Sequence, residues 1–309
     1  MNDNFPLVTI IIPTYNRANT VERTLNSIFN QSYGNLELII VDDGSTDATQ
    51  TVLSKYSDPR IRMFRHDVNK GVTAAKNTGL KNIKGEWFTI LDSDDEIVPD
   101  AIETMLNIPL YFDTSVTAVT CNCLDTSENK FAGLGLTSDQ YLNVPTLMTV
   151  CKGEFWGLTK TSLLMDEYFN ENFSGLESIL WYKIDDRAKR YYIHKPLRIY
   201  HTEGNDRVSN FKYNSEREIR LYSKLIEEVH YLNKIEKYNL KDFINLCRNG
   251  LVVTRADHNK KIALAYYNHL NKSNKTLINK LILNFWIVAV IMKDYTIIKF
   301  LIKPYLKSL

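Results

Sequence analysis

Val8-Thr9-Ile10-Ile11-Ile12-Pro13-Thr14-Tyr15-Asn16-Arg17 opens with five β-branched residues and closes on a polar turn. Branching at Cβ suits a pleated, packed surface, so Val8 to Ile12 reads as a buried strand stopped at Pro13. Helical spacing follows at Val21, Leu25, Ile28 and Phe29. Leu36 to Val41 is a second apolar run, and Asp42-Asp43-Gly44-Ser45 supplies turn chemistry. Ser45 or Thr46 is expected to cap a helix that runs to about Tyr56. Ile61 to Arg65 reads as a third strand, Val72 to Leu80 as a helix, and Trp87 to Leu91 as a fourth strand. That strand ends at Asp92-Ser93-Asp94-Asp95-Glu96, four carboxylates in five residues. Strands alternating with helices in this way predict parallel βαβ units and an α/β fold. Ligands bind beyond the carboxyl ends of such strands. Pro13-Thr14-Tyr15-Asn16, Asp42-Asp43 and Asp92-Ser93-Asp94 all fall at those ends.

Further along, Val116 to Cys121 reads as another strand, and Asp125 to Val150 is irregular. Leu176 to Arg190 looks helical, followed by two short strands at Tyr191-Tyr192-Ile193 and Arg198-Ile199-Tyr200. From Glu216 the period becomes helical, with Ile219, Tyr222, Leu225, Ile226, Val229, Leu232 and Ile235 on one stripe. The expected division is an α/β domain over 1–212, with halves of about 1–120 and 121–212, and a helical region over 213–309.

The formal charge of +2 conceals an asymmetry. Residues 259–309 carry nine lysines and one aspartate, a net +8, which leaves −6 on the rest of the chain. A basic tail interleaved with aromatic residues suits an anionic neighbour, and equally a solvated lysine face. Cys121, Cys123, Cys151 and Cys247 show neither a CxxC pair nor a disulfide framework, as expected of reduced cytoplasmic thiols. The first residues lack the basic and apolar regions of a signal peptide. Leu281 to Met292, with one Asn inside it, is the longest uncharged apolar run, and it falls short of the roughly 20 residues needed to span a bilayer.

A dinucleotide fingerprint needs glycines in the turn after the first strand. The turn here, Pro13 to Arg17, has none, and no Walker A sequence occurs. The acidic cluster points elsewhere. Asp92 and Asp94, two residues apart in an extended turn, project to one side and can share a hard divalent cation. Such an ion relieves the like-charge repulsion and fills its remaining positions with phosphate oxygens.

Four blocks together resemble the signature of family 2 glycosyltransferases: Val8 to Arg17, Val41-Asp42-Asp43-Gly44-Ser45-Thr46-Asp47, Asn69 to Gly79, and Leu91 to Asp95. The resemblance covers about residues 5–105 and continues more weakly to about 210. It implies a GT-A fold, a Rossmann-like and mostly parallel sheet flanked by helices, here with a C-terminal helical extension. It also implies a nucleotide-sugar donor, most often UDP-linked, a Mn²⁺ or Mg²⁺ ion, and inversion at the anomeric carbon. By position, Pro13, Tyr15 and Arg17 are expected to line the nucleotide pocket and Asp43 to accept a hydrogen bond from the base. Lys76 stands where arginine is commoner, near the nucleotide or its phosphates. Asp92 and Ser93 are expected at the donor, and Asp92 and Asp94 at the metal.

The family places its catalytic carboxylate at the start of a later helix, typically in a Glu-Asp pair. Here Ser178 follows Glu177, so Glu177 is the expected base, with Asp185 and Asp186 as runners-up that more naturally face solvent. In the stretch from Ile199 to Ser209, His201 is the candidate third metal ligand and Arg207 a candidate phosphate clamp. Trp156 and Trp181 can stack on sugar faces or pack in the core. The Gln-x-x-Arg-Trp motif of processive synthases is absent, which fits transfer of one sugar per encounter. The resemblance thus implies a bacterial surface-glycan enzyme with a glycan or lipid-linked oligosaccharide acceptor.

The basic tail suits peripheral association with an anionic membrane, at the cytoplasmic face of the inner membrane, and is compatible with an oligomer interface. A nucleic-acid partner is not expected. Two rivals stay open: a nucleotidyltransferase that makes the sugar nucleotide, and a catalytically inactive glycan-binding or scaffold protein.

Overall fold

The structure, a computed structural model, describes residues 5–171, 176–202, 215–256 and 260–273. Its strands and helices begin β1 (Val8–Thr14), α1 (Val21–Phe29), β2 (Leu36–Asp42), α2 (Thr49–Leu53), β3 (Ile61–Arg65), α3 (Val72–Leu80) and β4 (Trp87–Ile90). Next come β5 (Glu96–Ile97), α4 (Ala101–Asn107), β6 (Ala118–Asp125), β7 (Lys130–Phe131), β8 (Gly133–Leu134), β9 (Gln140–Leu142), α5 (Val144–Thr149) and β10 (Lys152–Gly153). The series closes with β11 (Phe155–Lys160), α6 (Ser178–Asp185), β12 (Arg190–Tyr200), α7 (Ser215–Leu225), α8 (Val229–Tyr238), α9 (Leu240–Ala256) and α10 (Lys260–Ser273).

One sheet runs β3-β2-β1-β4-β11-β6-β12-β5. β1 pairs in parallel with both β2 and β4, β2 with β3, and β6 with β12. β11 enters antiparallel between β4 and β6, and so β4 and β6 again point the same way. The carboxyl ends of β1, β2, β3, β4, β6 and β12 therefore lie along one edge. The apolar run at 8–12 is continuous because both faces of β1 are covered. Ile10 and Ile12 pack with Val21, Leu25 and Ile28 of α1, while Ile11 packs with Ala75 and Leu80 of α3 and Leu180 and Ile184 of α6. Each such fully buried aliphatic side chain contributes about 1.5–3 kcal/mol.

Several expected boundaries shift. β1 does not stop at Pro13 but runs to Thr14. Its pairing with β4 has already ended at Ile11, so the amide that Pro13 lacks is not needed on that side. The two short strands expected after residue 190 are one strand, β12, with register shifts around Pro196. α2 starts at Thr49, later than expected, and neither Ser45 nor Thr46 is its N-cap residue, which is Ala48.

By packing, the chain divides into Met1–Asn210 and Phe211–Leu309. Within the second unit, Leu225, Tyr231, Leu232, Ile235, Phe243, Cys247 and Tyr266 are buried. The stripe expected as one helix breaks between α7 and α8, where the Glu227 and Glu228 amides bond to carbonyls three residues back. Val229 consequently turns outward and is 52% exposed. Gly250 inside α9 answers a packing need, because a Cβ there would come within 2.5 Å of the Tyr266 ring. No described helix is long and apolar enough to cross a membrane.

Candidate active site

The turns after β1 and β2 lock together. Asn16 adopts a left-handed φ of 51°. Its Oδ1 accepts from the Thr46 amide (2.8 Å), and its own amide donates to Ser45 Oγ (2.9 Å). The Arg17 amide donates to Thr49 Oγ1 (2.7 Å), and Asp47 accepts from the amides of Ala18 and Thr49. Asp47 is thereby a loop tie. Asp42 is likewise structural, accepting from the Ser45 amide at 2.9 Å and from Arg65 Nη1 at 3.0 Å.

Asp43 sits at the floor of this arrangement, 2% exposed. Its Oδ1 accepts from His66 Nδ1 (2.6 Å) and the Lys70 amide (2.9 Å), and its Oδ2 accepts from the Gly71 amide (2.7 Å). His66 Nε2 is held in turn by Thr78 Oγ1 at 2.9 Å. The carboxylate is thus fixed in place with one lone pair on Oδ2 beyond those bonds. Gly44 lets the next loop close over it: a Cβ there would lie 2.6 Å from the Val68 carbonyl carbon. Pro13 is buried in β1, whereas Tyr15 is 39% exposed on the turn.

The acidic turn after β4 separates into distinct roles. Asp95 is 1% exposed and bonded by Arg198 through Nε (2.8 Å) and Nη2, while its Oδ1 accepts from the His201 amide (2.9 Å). Arg198 Nη2 also donates to Asp92 Oδ2 at 2.7 Å. One buried guanidinium therefore serves two carboxylates and joins the turn to β12. Burial pushes the Asp92 carboxyl up, but the charges of Arg198, Lys76 and Arg17 outweigh it and hold it below the usual range. The Asp92 side chain is nevertheless 44% exposed, so this carboxylate is open to solvent beside its partner.

Asp94 differs. Burial and the neighbouring Asp92 charge raise its carboxyl above the usual range, and Arg17, 3.5 Å from Oδ2, offsets this only in part. Ser93 is buried, and its carbonyl accepts from Thr20 Oγ1 at 3.0 Å. His201 Nε2 pairs with Glu96 Oε1 at 2.7 Å, which leaves Nδ1 buried and without a hydrogen-bond partner among the described residues.

These two features fit a divalent cation. Asp94 is only partly compensated by Arg17, and a histidine with one nitrogen held by a carboxylate presents the other as a ligand. Among the described residues no three His, Cys, Asp or Glu side chains already stand together as a metal cage. A hard ion that takes most of its oxygens from a diphosphate and water needs only one or two side chains from the protein.

Glu177 lies immediately before α6 and makes no side-chain cap. Its Oε1 is 3.5 Å from Lys76 Nζ on α3. Asp185 does not face solvent as expected: its side chain is 6% exposed and holds Arg190 at 2.6–2.8 Å. It is thereby committed to an ion pair. Trp156 is core, its Nε1 donating to the Ile90 carbonyl (3.0 Å), and Trp181 stacks on Phe88. Arg207 lies outside the described residues.

Arg198, His66 and Asn16 were not singled out by the sequence reading. Arg198 belongs to β12, far along the chain from the acids it binds. An Asn in an otherwise extended turn was the available hint for Asn16, since asparagine tolerates left-handed backbone.

The family model "Glycosyl transferase family 2" matches residues 9–152. GalNAc(5)-diNAcBac-PP-undecaprenol beta-1,3-glucosyltransferase of Campylobacter jejuni is 34% identical over 281 residues, covering 88% of this chain and 86% of its own length. Among solved structures, Staphylococcus aureus TarS 1–349 in complex with UDP-GlcNAc superposes with a TM-score of 0.63 at 19% identity, over 94% of this chain and 93% of that one. The mannosyltransferase PcManGT from Pyrobaculum calidifontis, in complex with GDP-Man and Mn²⁺, gives 0.54 at 18% identity, over 95% and 88%. At those identities the structures establish the shared fold, and the long alignment to the Campylobacter enzyme establishes the lineage. The chain belongs to glycosyltransferase family 2 and carries its GT-A fold.

Proposed function

We propose that this enzyme moves one sugar from a UDP-sugar to a glycan or lipid-linked acceptor in surface polysaccharide synthesis, with inversion and with Mn²⁺ or Mg²⁺. The observation that carries this reading is the position of Lys76. Its charge reaches Asp92 on the donor turn, and its ammonium contacts Glu177. A diphosphate site and a carboxylate base thus border one cleft. Glu177 accepts the proton of the acceptor hydroxyl as that oxygen bonds to the anomeric carbon. The bond from that carbon to the nucleoside diphosphate breaks on the opposite side, and a single displacement inverts the centre. Arg17 and Lys76 face the charge that collects on the departing diphosphate. Asp43, held by three donors, offers its remaining lone pair to a ring N–H of uracil.

A divalent ion held by Asp94 and His201, with Asp92 beside them, would neutralise further charge on the leaving group. The UDP-GlcNAc complex of TarS supports the donor class, and the name of the Campylobacter relative supports a lipid-linked acceptor. The donor half is assigned to about residues 1–120, the acceptor half to 121–212, and a helical region to 213–309. The lysines of the tail would place the enzyme against an anionic membrane surface, where a lipid-linked acceptor resides.

Incubation with a panel of nucleotide sugars, Mn²⁺ and lipid-linked acceptors tests the reading. Release of nucleoside diphosphate with sugar appearing on the acceptor is the expected result. Release of pyrophosphate would mark a nucleotidyltransferase, and donor binding without turnover would mark an inactive binder.

A further inference from the structure

Lys76 faces two anionic partners whose demands on it conflict. Its ammonium lies 3.5 Å from Glu177 Oε1, with 15% of the lysine side chain and 23% of the glutamate exposed. Its charge also acts on Asp92, beside which the diphosphate of a donor would lie. The next residue of the same helix is bonded to Phe169. Asn77 Nδ2 donates to the Phe169 carbonyl at 2.8 Å, and the Phe169 amide donates to Asn77 Oδ1 at 2.9 Å. Lys76 Nζ lies 5.8 Å from the Phe169 ring centroid. α3 therefore meets Phe169 through a paired hydrogen bond at residue 77 and Glu177 through a charge on a flexible stem at residue 76. A lysine suits the second task, because its compact ammonium can reorient on four methylenes where an arginine fork is committed to one geometry.

We infer that Lys76 is a shared cation, which a bound diphosphate draws away from Glu177. Until a donor arrives, the ammonium restrains the carboxylate. The multiple charge of an arriving nucleoside diphosphate outcompetes the single charge of Glu177, the ammonium turns toward the phosphates, and Glu177 becomes available to an acceptor hydroxyl. The base is then presented only when a donor is in place, and acceptor deprotonation cannot run ahead of sugar binding. By reciprocity the Glu177 pairing lowers donor affinity, because the diphosphate must displace it. Lys76 is a positioning residue toward Glu177. The inference rests on the proposed role of Glu177 as base.

Calorimetric titration of the full chain with UDP and Mg²⁺ tests it in wild type, Glu177→Gln, Lys76→Met and the double variant. Glu177→Gln is expected to bind UDP about 3- to 10-fold tighter, since Lys76 no longer has a competing partner, and Lys76→Met to bind more weakly. In the Lys76→Met background, Glu177→Gln is expected to change affinity by less than about twofold, a coupling of the size seen between contacting groups. Lys76→Gln replaces Lys76→Met if that variant folds poorly. Unchanged or weaker UDP binding by Glu177→Gln overturns the inference. So does an equal gain in both backgrounds, which would mean a general field effect without Lys76.

Sugar transfer by Glu177→Gln separates this inference from the assignment of the base. Tighter UDP binding with normal transfer removes Glu177 as base and keeps the shared cation. Lost transfer with unchanged UDP affinity does the reverse.

Discussion

Arg198 neutralises Asp92 and Asp95 at once from a position that is itself buried. Removing one member of such a network leaves the others as uncompensated charge. Arg198→Met is therefore expected to cost about 3–5 kcal/mol, read as a lowered denaturant midpoint, with Arg198→Lys retaining part of the loss. Asp94→Asn acts differently, because no lysine or arginine fully satisfies Asp94. It is expected to leave the denaturant midpoint within about 1 kcal/mol of wild type. It should also abolish the gain in UDP affinity that Mg²⁺ or Mn²⁺ produces; a gain equal to that of wild type would remove Asp94 from the metal site. The placement of Asp92, Asp94 and Asp43 just beyond strand ends was readable in advance, because the alternating βαβ pattern shows where each strand stops. Arg198 was not, since nothing local in Pro196-Leu197-Arg198 says which acids it meets.

At the scale of elements, Asn77 closes both the amide and the carbonyl of Phe169 while 3% exposed. Asn77→Ala orphans both backbone groups, at about 1–3 kcal/mol for each one left unsatisfied. Thermal unfolding should show the loss in Tm. The opposite edge of the sheet depends on Glu37, which is 6% exposed and receives Thr9 Oγ1, the Lys84 amide and Arg62 Nη1. Burial alone would raise its carboxyl, but those donors and the Arg62 charge prevail and hold it below the ordinary glutamate value. A depressed carboxylate stabilises the fold above the unfolded-state value of about 4.3, and that stability is lost as pH falls through the folded value. Glu37→Gln should thus narrow the stability difference between pH 7 and pH 3 in urea titrations. Periodicity revealed β1 to β4, α1 and α3 well, whereas α2 is shorter than expected at Thr49–Leu53. β12 was harder: Pro196 and the register shift around it break the alternation, and its continuity is set by β6. The break between α7 and α8 was invisible because the apolar stripe continues across it.

At the scale of the whole chain, the charge asymmetry yields the broadest prediction. Full-length protein should sediment with vesicles rich in phosphatidylglycerol and not with neutral ones, and should be released by raised salt. Replacing Lys280, Lys293, Lys299, Lys303 and Lys307 by glutamine should weaken this by about 1 kcal/mol per lysine near the surface, while UDP binding stays unchanged. Sedimentation independent of lipid charge would assign the tail to another role. The whole sheet also has a history in time. Asp95 and the Arg198 that neutralises it are 103 residues apart, and the short strand β5 finds its partner only in β12. A ribosome adding roughly 5–20 residues per second exposes the acidic turn for several seconds before that arginine is made. A nascent chain ending before residue 198 carries this acidic turn without the guanidinium that serves Asp92 and Asp95. The last strand to be synthesised in the sheet is thus the one that neutralises an acidic turn laid down about a hundred residues earlier.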